Sequence, residues 1–94
     1  MIKVLIVEDS ETMRSMLMAT LEGLDVAAKI DEAASGFEAL RVLPRESFDI
    51  VIVDINMPNI NGLELISFMR RSETHKDTPI VIISTEASAR DRER

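Results

Sequence analysis

Three short segments of this chain are apolar at almost every position: Ile2 to Val7 (IKVLIV), Asp49 to Val53 (DIVIV) and Ile80 to Ser84 (IVIIS). A strand with one wet face alternates apolar and polar residues. A strand buried on both faces does not, and such strands belong to parallel sheets covered by helices on each side. A parallel pair cannot be joined by a tight turn and needs a crossover, usually a helix. The segments between the runs fit that requirement. After Ser10, a good capping residue, Met13, Met16, Leu17, Thr20, Leu21 and Leu24 recur at helical spacing. A helix is therefore predicted over Glu11 to Leu24, with those residues facing the core. Lys29 to Ala33 is mixed in polarity and reads as an edge strand. Ser35-Gly36-Phe37-Glu38 has the capping-box pattern and opens a second helix, which runs to about Leu43 and is ended by Pro44. Asn61-Gly62-Leu63-Glu64 opens a third, with Leu65, Ile66 and Met69 on its inner face. Pro79 leads into the last apolar run, and the charged tail EASARDRER reads as the start of another helix. Strands that alternate with helices in this way imply a doubly wound α/β domain.

The chain has 94 residues, 46% hydrophobic and 30% charged, which suits one globular domain with a modest core. Its formal net charge of −6 argues against non-specific binding of nucleic acid and against an anionic membrane surface. With no cysteine, disulfide and thiolate chemistry are excluded. The apolar start is interrupted at once by Glu8 and Asp9, so it is neither a signal peptide nor a membrane span. A cytoplasmic domain is the expectation.

Glu8 and Asp9 follow the first apolar run directly, and Asp54 follows the run IVIV of the third strand. In an open parallel sheet, ligands bind beyond the carboxyl ends of the strands, where successive crossovers leave on opposite sides. With strand order 2-1-3-4, strands one and three are neighbours and all three carboxylates share that crevice. Like charges about 4 Å apart repel by roughly 4 kcal/mol at an effective dielectric of 20. A divalent cation removes the conflict, and an all-oxygen donor set suits Mg²⁺, which often bridges to phosphate. Acidic residues also serve as helix caps, and either cluster alone would fit that role; both together at adjacent strand ends favour a site. Ser84 ends the neighbouring strand, where its hydroxyl could meet a phosphoryl oxygen; Thr85 competes for that role. His75, in the polar loop SETHKDT, reads as a solvated loop residue.

These residues resemble the receiver domains of two-component response regulators, with single-domain chemotaxis regulators nearest. VLIVEDS is similar to the first strand with its acidic pair, DIVIVDINMPNINGLEL to the segment of the phospho-acceptor, and PIVIISTEA to the fourth strand. The resemblance covers residues 1–94 and implies a flavodoxin-like open sheet. It puts the phospho-acceptor on Asp54, the Mg²⁺ ligands on Glu8, Asp9, Asp54 and the backbone carbonyl of Asn56, and the switch hydroxyl on Ser84. It implies a sensor histidine kinase as phosphoryl donor and a downstream output protein or domain as partner, with chemistry confined to the chain's own phosphorylation and dephosphorylation. The acidic pair is Glu-Asp where many members have Asp-Asp, and Asn61 stands where Asp is common. The family continues past the position of Arg94 into a fifth strand and helix, so the chain is expected to be C-terminally incomplete. An exposed fourth strand is then expected to promote self-association or exchange of elements between copies. Two further readings compete: a structural fragment that keeps the fold without the chemistry, and a metal-dependent phosphatase. The second commonly uses Asp-x-Asp, whereas this chain has Asp54-x-Asn56.

Overall fold

In the computed structural model, which describes residues 1–57 and 60–83, strands and helices alternate along the chain. They are β1 (Ile2–Val7), α1 (Glu11–Glu22), β2 (Ala28–Ala33), α2 (Gly36–Val42), β3 (Ile50–Asp54), α3 (Gly62–Arg70) and β4 (Ile80–Ile83). The four strands form one parallel sheet in the order β2-β1-β3-β4. Ser84, Thr85 and the tail lie outside the described residues, as do Pro58 and Asn59.

The uninterrupted apolar runs are explained by two cores, one on each face of the sheet. Leu5, Val7, Val51 and Val53 point to the face covered by α2 and α3, where they meet Ala39, Leu43, Leu65 and Met69. Val4, Ile6 and Ile52 point to the opposite face, against Leu17, Met18 and Leu21 of α1. Burial of one such Leu or Ile side chain contributes roughly 1.5–3 kcal/mol. Helix α1 lies on one face and α3 on the other, while β1 and β3 are paired neighbours. The crevice therefore opens at their carboxyl ends.

Each helix begins at the cap that the sequence offers. Ser10 accepts from the Met13 N–H, Ser35 from the Glu38 N–H, and Asn61 with Glu64 forms a reciprocal capping box. Helix α1 differs from expectation in its inner face and its end. It stops at Glu22 with Gly23 as C-cap, and Leu24 lies beyond it, 55% exposed. Met16 is 59% exposed and Thr20 is exposed, whereas Met18 takes an inward place. The spacing between apolar residues fixed the period correctly, but it did not settle which of two adjacent stripes would meet the sheet. Among the described residues no helix is long and apolar enough to cross a membrane.

His75 also departs from expectation: it is fully buried. Its Nε2 lies 2.7 Å from the Leu43 carbonyl and 3.0 Å from the Glu46 carbonyl. Carbonyls only accept, so Nε2 carries the proton and donates to both. Nδ1, 3.3 Å from Thr78 Oγ1, accepts from that hydroxyl in the neutral ring. The ring stacks on Phe48, with centroids 6.2 Å apart. A polar loop residue thus ties the segment after α3 to the end of α2.

Candidate metal centre

The last residues of β1 and β3 run side by side, with Val7 opposite Val53. Glu8 follows β1, and Asp54 is the final residue of β3. Their side chains are fully buried, whereas Asp9 is exposed. One carboxylate oxygen from each of Glu8, Asp9 and Asp54 lies within 4.8 Å of the others.

The two buried acids are held in the same way. Glu8 Oε1 accepts from the Ser10 N–H at 3.1 Å, and Asp54 Oδ1 accepts from the Asn56 N–H at 3.0 Å. In each case the donor lies two residues further on and fixes one oxygen of the carboxylate. The other oxygens, Glu8 Oε2 and Asp54 Oδ2, are buried without a hydrogen-bond partner. An unsatisfied buried polar group costs about 1–3 kcal/mol, more when charged. A cation bound among these oxygens would satisfy both. The donor set is carboxylate oxygen with the Asn56 peptide on the same turn, which fits a hard ion such as Mg²⁺.

Burial pushes the Glu8 carboxyl up to about 8; the Ser10 N–H opposes this, and the negative charge of Asp54 adds to it. When both acids are ionised there is no donor between them, which leaves the two oxygens unsatisfied. A proton on Glu8 makes it a donor to Asp54, which also favours the neutral form. Because its folded pKa lies above the ordinary 4.5, the stability contributed by protonated Glu8 is complete below pH 4.5 and is lost as pH rises through about 8. The metal-free chain is therefore expected to show a falling denaturation midpoint between pH 5 and pH 8.5, with millimolar Mg²⁺ restoring it at the alkaline end. Urea titrations across that range check this, and a midpoint indifferent to both pH and Mg²⁺ would exclude it.

The turn after Asp54 is closed by Gly62 at the start of α3. A Cβ there would lie 2.6 Å from Ile55 Cα and 2.7 Å from the Asp54 carbonyl oxygen. Both are backbone atoms that cannot swing aside. Gly62→Ala should cost about 1–3 kcal/mol by overpacking and should displace the turn after Asp54. A urea midpoint equal to that of the parent chain would contradict this close approach.

Of the residues named from sequence, the structure brings Glu8, Asp9 and Asp54 together and places Asn56 on the turn after Asp54. Ser84 cannot be placed, since it lies outside the described residues. Sequence reasoning treated Glu8 and Asp9 as an equal pair and missed the division into one buried and one exposed acid. In sequence both acids simply follow the run IKVLIV; that the burial of Val4 to Val7 continues into Glu8 and stops at Asp9 is set by the packing around β1.

Comparison with known proteins agrees with this architecture. Residues 4–94 match the response regulator receiver domain family. A chemotaxis protein CheY homolog of Campylobacter jejuni is 40% identical over 85 residues, which is 89% of this chain and 65% of the relative. The chain thus spans just under two thirds of the length of that curated relative. The solved structure of chemotaxis protein CheY4 of Vibrio cholerae superimposes with a TM-score of 0.82 at 38% identity, covering 99% of this chain and 76% of that one. The receiver domain of a sensor histidine kinase from Pseudomonas aeruginosa, described with a magnesium ion coordinated in its active site cleft, gives a TM-score of 0.82 at 26% identity, covering 99% and 75%. With nearly the whole chain matched in sequence and in fold, it belongs to the response regulator receiver domain family.

Proposed function

We propose that this receiver domain accepts a phosphoryl group on Asp54 from the phosphohistidine of a sensor histidine kinase. The observation that carries this reading is the pair of buried carboxylates, each pinned through one oxygen and each with its second oxygen unpartnered. Mg²⁺ held by Glu8, Asp9, Asp54 and the Asn56 carbonyl would supply charge neutralisation for an incoming phosphoryl group. Asp54 supplies the nucleophile. An Asp54 carboxylate oxygen forms a bond to phosphorus as the phosphorus–nitrogen bond breaks. The electron pair goes to the imidazole nitrogen of the donor, which then takes a proton. The Asn56 N–H keeps the carboxylate from rotating during the transfer. We assign the switch hydroxyl to Ser84, which follows Ile83, the residue paired with Asp54 across the sheet. The phosphorylated surface would then be read by an output partner. On this reading residues 1–94 belong to one receiver domain that works in the cytoplasm and acts on no external substrate.

Incubation with Mg²⁺ and acetyl phosphate, followed by intact mass, tests the proposal. A single acid-stable, base-labile phosphoryl adduct that needs the metal is the expected result. Repeated turnover of small phosphoesters would instead favour a phosphatase, and an unmodified folded chain would favour a structural role.

Self-association through β4 forms part of the same proposal. Among the described residues β4 is the terminal strand, and Val81 and Ile82 on it are exposed. Such an edge is a template for pairing. Light scattering over a concentration series should show mass rising with concentration; a constant monomer mass would rule the association out.

A further inference from the structure

Arg14 stands on the first turn of α1, six residues after Glu8, and its side chain is only 15% exposed. Its Nη1 donates to the backbone carbonyl of Glu8 at 2.8 Å, and its Nε donates to Glu32 Oε1 on β2 at 3.1 Å. The Glu8 N–H, on the other side of the same residue, donates to the Ala33 carbonyl at 3.1 Å. The backbone of Glu8 is therefore held from both directions, by β2 through Ala33 and by α1 through a guanidinium. Glu8 is where the chain leaves the sheet. A rotation of its backbone would carry the carboxylate out of the crevice and away from the Ser10 N–H.

We propose that Arg14 is a positioning residue for the metal centre, and that it acts through its hydrogen-bonding fork rather than its charge. This rests on the reading of Glu8, Asp9 and Asp54 as a cation site. Charge alone would work in the opposite direction, because a guanidinium repels a metal ion. Glu32 offsets that charge. It is itself 41% exposed, so the ion pair adds little to the stability of the fold. What Arg14 does contribute is two N–H groups in one rigid plane, one for each element it joins. A lysine keeps the charge but cannot present that plane.

Titration of the full chain with Mn²⁺, followed by electron paramagnetic resonance, tests this in Arg14→Lys and Arg14→Met. The measurement is made well below each melting temperature, with circular dichroism to verify folding. Arg14→Lys should weaken Mn²⁺ binding about tenfold, the scale typical of groups that orient metal ligands. Arg14→Met should weaken it at least as much, and the Ser10 amide resonance should shift in both. Glu32→Gln, at a more exposed position, should weaken binding in the same direction and by less, and serves where an Arg14 variant does not fold. Arg14→Lys binding as tightly as the parent would overturn the proposal, as would tighter binding by Arg14→Met. A lowered melting temperature with unchanged affinity would reduce Arg14 to a purely structural role and also overturn it. Failure of the parent chain to bind Mn²⁺ would overturn the cation reading itself, and this inference with it.

Discussion

Asp54→Asn, incubated with Mg²⁺ and acetyl phosphate, is expected to keep its unmodified mass while the parent chain gains one phosphoryl group. An amide oxygen is far less nucleophilic than a carboxylate, so the whole of the incorporation should be lost. The substitution is nearly isosteric, and its Oδ1 can still accept from the Asn56 N–H as Asp54 does at 3.0 Å. Loss of folding is therefore not the cause. The metal-free variant should in fact be the more stable protein. Two charges within 4.8 Å of one another repel by roughly 3–4 kcal/mol at an effective dielectric of 20. An Asn side chain removes one charge and offers a donor to Glu8. After losses elsewhere, a gain of about 1–2 kcal/mol is expected above pH 8, where Glu8 in the parent, raised to about 8, becomes largely ionised. Mg²⁺ at a hundred times its dissociation constant stabilises a binding protein by about 2.7 kcal/mol, and most of that should disappear in the variant. A labile phosphate on Asp54→Asn at the parental level would remove Asp54 as acceptor. A variant less stable than the parent at every pH would contradict the electrostatic account.

His75→Ala is expected to be the most destabilising single change outside the apolar core. It removes the donor shared by the Leu43 and Glu46 carbonyls, at 2.7 and 3.0 Å, and leaves a cavity beside Phe48. Loss of buried partners and the cavity together suggest about 3 kcal/mol. For a domain of this size that corresponds to a melting temperature lower by about 12–24 °C, a large share of a typical total stability. His75→Leu fills more of the volume but restores no donor, so it should recover only part of the loss. Thermal denaturation followed at 222 nm measures both. A shift of only a few degrees in each would show that the two carbonyls find water at little cost.

His75 also shows where sequence reasoning stops. The loop SETHKDT is polar, and composition alone places it in solvent. Its histidine is buried because carbonyls left free near the end of α2, 32 and 29 positions away along the chain, need a donor. No local pattern records that need. The helix caps are the contrasting case. Ser10, Ser35 and Asn61 satisfy N–H groups three residues away, so their role can be read from the sequence and recurs in the structure. Helix α1 lies between the two. Its period is local, but which stripe faces inward depends on how the helix rests on β1 and β2, and Met16 lies outward and Met18 inward on that account.

The sequence by itself determined the alternation of strands and helices, the parallel sheet, and the presence of acids at two strand ends. Those features follow from residue periodicity and from contacts a few positions apart, which any chain with this pattern shares. Only the tertiary structure decided that Glu8 is buried and Asp9 exposed, that Gly62 must lack a side chain, and that Arg14 grips the Glu8 carbonyl. Each of these depends on how separate elements approach one another, and that distance is set by packing of the whole core rather than by any one stretch of chain.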